Sequence, residues 1–111
     1  MKKFLVLYSS TVSASEQMKS ATPEQAKAGM DAWMAWAQKA GPAIVDLGMP
    51  LGSPLKIADG KVGASESKVA GFSILQGESG DAVSALLRDH PHSRAPGAWI
   101  DVLELLPLPG M

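Results

Sequence analysis

The chain has 111 residues, of which 46% are hydrophobic and 19% charged, and its net charge is −1. That balance suits one globular domain over residues 1–111, and so little net charge supplies no basic field for a phosphate backbone. Nucleic-acid binding is therefore not expected. With no cysteine, disulfides and thiolate metal sites are excluded.

The first segment, Lys3 to Tyr8, is apolar for too few residues to be a secretory signal and reads as a β-strand. No run reaches the length of a membrane span, so a cytoplasmic protein without a membrane partner is expected. Residues 9–21 are small and polar and read as an exposed loop. Thr22-Pro23-Glu24-Gln25 then opens a helix. Thr22 and Gln25 have capping-box spacing, and Pro23 falls where no N–H is needed. Ala26, Met30, Trp33, Met34 and Ala37 recur on one face, and Gly41-Pro42 ends the helix.

Residues 43–47 form a short second strand. The stretch 48–67 is rich in glycine and proline and reads mainly as a long loop, of the kind that covers a binding site. Within it, Pro54 to Ile57 precedes the hairpin-type turn Asp59-Gly60. Residues 69–76 are a strand, Ser79-Gly80-Asp81 starts a second helix, and Pro91 stops it. The last strand spans 98–106. Period-2 alternation puts Trp99, Asp101, Leu103 and Leu105 on one side and Ile100, Val102, Glu104 and Leu106 on the other. Neither side is polar, so both need cover.

The order β-α-β-(loop or minor strand)-β-α-β predicts an α+β, ferredoxin-like βαββαβ fold with an antiparallel sheet and both helices on one face. The other face then needs a partner. Two such sheets packed together make a dimeric α/β barrel, so a homodimer through sheet faces is expected.

In this order and spacing the sequence resembles the YCII-related family of the dimeric α/β barrel superfamily. The resemblance rests on the opening strand, the helix end Trp33-Met34-Ala35-Trp36, the turn Asp46-Leu47-Gly48-Met49-Pro50 and the strand Val69 to Leu75. His90-Pro91 and Val102 to Pro107 complete it. Where related members carry a DGPF signature, this chain has Asp59-Gly60-Lys61-Val62-Gly63, and its first predicted helix lacks the histidine some members carry. The resemblance implies the fold and the dimer. Relatives resembling muconolactone isomerase further imply cofactor-free proton transfer or elimination.

The only histidines are His90 and His92, on either side of Pro91. Their chemistry suits acid–base work near neutrality, or they interact with free carbonyls at a helix end. The expected site has His90 as acid–base group and Asp46 as its electrostatic partner. Trp36 and Met49 would wall the pocket, and His92 would contact the substrate. Trp36 alternatively packs in the core. No phosphate loop, dinucleotide fingerprint or nucleophile motif occurs, so no cofactor is expected. The functional expectation is a small protein that binds an apolar or aromatic metabolite under the 48–67 loop. The alternative is a non-catalytic dimer serving a protein partner.

Overall fold

The computed structural model describes residues 1–110. Its strands are β1 (Lys2–Ser10), β2 (Ile44–Asp46), β3 (Leu55–Ala58), β4 (Lys61–Ala64), β5 (Val69–Gly77) and β6 (Ala98–Glu104). Its α-helices are α1 (Ala14–Ser20), α2 (Pro23–Ala40) and α3 (Gly80–Leu87), and a 3-10 turn spans Pro91–Arg94. Four strands form one antiparallel sheet in the order β2-β5-β1-β6, while β3 and β4 pair only with each other. This is the expected ferredoxin-like topology.

Alternation along β1 divides the molecule into two unlike sides. Phe4, Val6 and Tyr8 face the helices and are buried, with Leu75 beside Phe4 and Ser73 beside Val6 on β5. Trp36 and Ala40 of α2 and Val83 and Leu87 of α3 close over them. Leu5 and Leu7 point the other way. Their register partners Ile74 and Phe72 on β5, and Leu103 and Asp101 on β6, lie in the same rows. Among the described residues nothing closes over this second face, where Trp99 and Leu103 are exposed. The prediction of two non-polar sides for β6 holds: Ile100 and Val102 pack against the core, and Trp99 and Leu103 face outward. The molecule is accordingly a slab only 19 Å thick.

The capping box forms as expected. Thr22 Oγ1 accepts from the Gln25 N–H at 3.1 Å, and Gln25 Oε1 accepts from the Thr22 N–H at 3.0 Å. Three expectations need correction. Residues 9–21 are not a loop: β1 continues through Ser10, and Ser13 caps α1 by accepting from the Glu16 N–H. Ser13-x-x-Glu16 has the spacing of an N-terminal helix start, so the signal was present. The buried face of α2 is also rotated from the predicted stripe. Trp36 is 5% exposed and its indole N–H donates to the Leu86 carbonyl, while Met30 and Met34 lie outside. Finally, β6 ends at Glu104, although the Leu105 N–H still donates to the Lys3 carbonyl.

Within 48–67, β3 and β4 form a hairpin turning at Asp59-Gly60, both with positive φ, as a two-residue I′ turn requires. Leu55, Ile57, Val62 and Ala64 share one of its faces by register. Ile57 is 74% exposed there. The radius of gyration is 15.4 Å, against about 13 Å for a compact domain of this length. Among the described residues, no helix is long and apolar enough to cross a membrane.

Candidate functional site

Two features meet at the Ser10 end of β1: a cluster of imidazole and aromatic rings on the helix side, and an open cleft beneath the 48–67 loop. The rings come together because β1 supplies Tyr8, α2 supplies Trp33 and Trp36, and the turn after α3 supplies His90 and His92. His90 is fully buried. It stacks on Tyr8, with ring centroids 4.9 Å apart, and meets Trp33 and Trp36 nearly edge-on at 4.2 and 4.5 Å. His90 also caps the Pro91–Arg94 turn, its Nδ1 accepting from the His92 N–H at 3.0 Å. An accepting Nδ1 puts the proton of the neutral ring on Nε2. That Nε2 has no hydrogen-bond partner and sits among the indoles, where an N–H meets only weak π acceptors.

Burial, assisted by the neighbouring His92 imidazole, lowers the His90 pKa to about 4 from the usual 6.5. The ring is thus neutral at physiological pH. Tyr8 is linked in the opposite sense: burial raises its pKa, and its bond to Ser73 offsets part of the rise. The Tyr8 hydroxyl donates to Ser73 Oγ at 3.0 Å, and Ser73 Oγ donates to the Leu47 carbonyl at 2.6 Å. This relay ties the ring cluster to the start of the 48–67 loop. His92 is only half-buried. Its Nε2 lies 2.7 Å from the Ser9 carbonyl, which makes Nε2 the donor and leaves Nδ1 to accept.

Beside Ser9, a cavity of about 410 Å³ opens between the chain at Ser10–Glu16, the loop at Leu51–Pro54 and the start of β5 at Ser67–Val69. A β-bulge at Tyr8/Ser9 lets β1 bend at this point. The inner part of the loop is fixed to β5. The Phe72 N–H donates to the Met49 carbonyl, the Leu51 N–H donates to the Ala70 carbonyl, and Pro50 bridges to Gly71. Gly48 (φ +80) packs so closely on the Phe72 carbonyl that no side chain fits.

The predicted residues divide accordingly. His90, His92 and Trp36 come together in the ring cluster, with Trp36 as core rather than as a cavity wall. Asp46 and Met49 do not join them. Asp46 lies on β2, two strands from β1, and in register it is level with Leu5 rather than with Tyr8. Its carboxylate accepts from the Gly48 N–H at 2.8 Å. Met49 is 65% exposed. The sequence reading missed the hydroxyl-rich lining of the cleft, in which Ser10, Thr11, Ser13, Ser15, Ser53 and Ser67 take part. The cluster Ser9-Ser10-Thr11 with Ser13 and Ser15 was its visible signal. Among the described residues, no group of three or more His, Cys, Asp or Glu side chains is gathered to hold a metal ion.

No protein-family model and no curated protein matches the sequence. Among solved structures, the chain is similar to 5-chloro-2-hydroxyhydroquinone dehydrochlorinase (TftG) from Burkholderia phenoliruptrix AC1100 in complex with 2,5-dihydroxybenzoquinone. The TM-score is 0.51, and identity is 16% with 89% of this chain and 90% of that one covered. At that identity the likeness is one of fold, and it agrees with the strand order: this chain has an α+β, ferredoxin-like fold with an antiparallel sheet.

Proposed function

We infer that this protein binds a small aromatic metabolite in the cleft beneath the 48–67 loop and acts on it by cofactor-free proton transfer or elimination. The observation that carries this reading is the cavity of about 410 Å³, whose size suits a single-ring ligand. TftG, which shares the fold, is a dehydrochlorinase holding 2,5-dihydroxybenzoquinone. Its elimination chemistry belongs to the same class.

Of the two histidines, His92 rather than His90 is the one open to proton exchange in this reading, from the ring cluster beside the cavity and not from its lining. His90 is sealed by three aromatic rings and kept neutral, so it supports the turn that carries its neighbour. His92 is partly open, and its Nε2 bond to Ser9 fixes the ring one residue from Ser10. A half-exposed imidazole with a free Nδ1 is the usual equipment for accepting a proton. Asp46 has no part in this arrangement, since its carboxylate is engaged at the far edge of the sheet.

The functional unit in this reading is a homodimer closed over the open sheet face. The row Leu5, Leu7, Phe72, Ile74, Trp99 and Leu103 is the sort of contiguous apolar surface that marks an interaction site. A second reading, a module serving a protein partner, is favoured by one observation only, the bare apolar face of the β3–β4 hairpin.

The test is a titration of the isotope-labelled protein with 2,5-dihydroxybenzoquinone, followed by amide shifts. Changes grouped at Ser10–Glu16, Leu51–Pro54 and Ser67–Val69 support the reading. Saturation without any change there overturns it.

A further inference from the structure

The cleft has an unequal supply of hydrogen-bonding groups. Ser10 is 5% exposed, and its Oγ already accepts twice, from the Val12 N–H at 3.2 Å and from Gln17 Nε2 at 3.3 Å. With both lone pairs engaged, this hydroxyl has only its proton left to offer. Ser13 Oγ accepts from the Glu16 N–H, and Ser67 Oγ accepts from the Val69 N–H. Each of them keeps a proton to donate and one lone pair to accept with, unlike Ser10.

Three carbonyls near the cleft are engaged. Val12 accepts from Gln17 Nε2, Ser13 from the Gln17 N–H, and Lys68 from the Ser10 N–H. Two charged side chains line the cavity, Lys68 and Glu16. Among the described residues, neither belongs to an ion pair. The cleft therefore presents one hydroxyl, that of Ser10, that can only donate, and one ammonium, against a single carboxylate.

We propose that the ligand of this cleft is a monoanionic, oxygen-bearing ring, a carboxylate or phenolate held between the Lys68 ammonium and the Ser10 hydroxyl. This rests on the reading of the cleft as the ligand site and specifies its chemistry. Donors left unpaired in a bound complex weaken binding, so a ligand bringing acceptors is selected over one bringing donors. A charge-assisted bond to Lys68 adds to that selection. Glu16 sets the upper limit on charge, because a second negative group on the ligand would meet a carboxylate.

The experiment uses the full chain and three one-ring probes at neutral pH: 2,5-dihydroxybenzoate as monoanion, hydroquinone as its uncharged counterpart and phthalate as dianion. Affinities come from calorimetry and sites from amide shifts. The expected result is 2,5-dihydroxybenzoate binding about tenfold tighter than hydroquinone, with phthalate weaker than 2,5-dihydroxybenzoate. In Lys68→Met the preference over hydroquinone collapses, and Lys68→Arg restores it. Lys68 is exposed, so these variants leave the core intact, and circular dichroism verifies that. Equal binding of hydroquinone and 2,5-dihydroxybenzoate at the cleft, or a preference that survives Lys68→Met, overturns the charge assignment and leaves the site standing. Binding of all three probes elsewhere, or of none, overturns the site as well.

Discussion

The His90 imidazole lies against the Tyr8 ring, their centroids 4.9 Å apart and their planes 26° from parallel. The contact puts a titratable base inside the hydrophobic core, and pH dependence follows. Folding lowers the His90 pKa from 6.5 to about 4. Above 6.5 both states are neutral there. As pH falls from 6.5 towards 4, the unfolded chain takes up a proton that the folded chain refuses, so stability drops. The full loss is roughly 3 kcal/mol and levels off below about pH 4. Urea denaturation at a series of pH values is the check. His90→Asn, which can still cap the turn, should flatten the profile in that window. A His90 resonance titrating near 6.5 in the folded protein would contradict the burial argument.

Ser73 should matter more than its size implies. Ser73→Ala strands two groups, the buried Tyr8 hydroxyl and the partly buried Leu47 carbonyl, whereas Tyr8→Phe removes one donor and leaves the Ser73–Leu47 bond. Costs of about 2–4 kcal/mol for Ser73→Ala and about 1–2 kcal/mol for Tyr8→Phe are expected. Denaturant midpoints measured side by side decide the order, and a Tyr8→Phe loss exceeding that of Ser73→Ala would refute it.

Gly48→Ala meets two penalties at once. The residue has φ +80, and a Cβ there would overlap the Phe72 carbonyl. The left-handed backbone alone costs about 1–2 kcal/mol, and overpacking adds about 1–3 kcal/mol. A thermal scan should show a marked fall in midpoint. Gly63→Ala in the hairpin, where nothing lies near the added methyl, is the control and should remain within about 0.5–1 kcal/mol of wild type.

Leu103→Lys probes the open sheet face. Leu103 sits opposite Leu5 in a row that points away from the helices. A charge there leaves the protomer folded and opposes the covering of that face by a second copy. Sedimentation at micromolar concentration should show a dimer for wild type and a monomer for the variant, with unchanged circular dichroism. A wild-type monomer would remove the homodimer from the proposed function.

The sheet was legible because its strands are marked by alternation and its turns by glycine and proline. Thr22 and Gln25 announced α2, and Asp59-Gly60 announced the hairpin turn. The rotation of α2 was not legible, since its apolar residues extend past one stripe and the buried side carries an indole-to-carbonyl bond to a residue fifty positions away. The histidines drew attention in the sequence for their chemistry, but residue type alone does not reveal that three rings enclose one of them. The serines around Ser10 stand out only when 51–54 and 67–69 are brought over them, which is long-range information.

The stitching of Leu47, Met49 and Leu51 to β5 has a kinetic consequence. The cleft's inner wall moves with the sheet and opens only when the sheet does. The segment from Gly52 through the hairpin to Ser67, whose two ends border the cleft, has few buried contacts, the condition under which local opening occurs far more often than global unfolding. Amide exchange should therefore be fast across the hairpin and slow at Leu51 and Phe72. Motion at the mouth of the cleft is thus uncoupled from the stability of the core behind it.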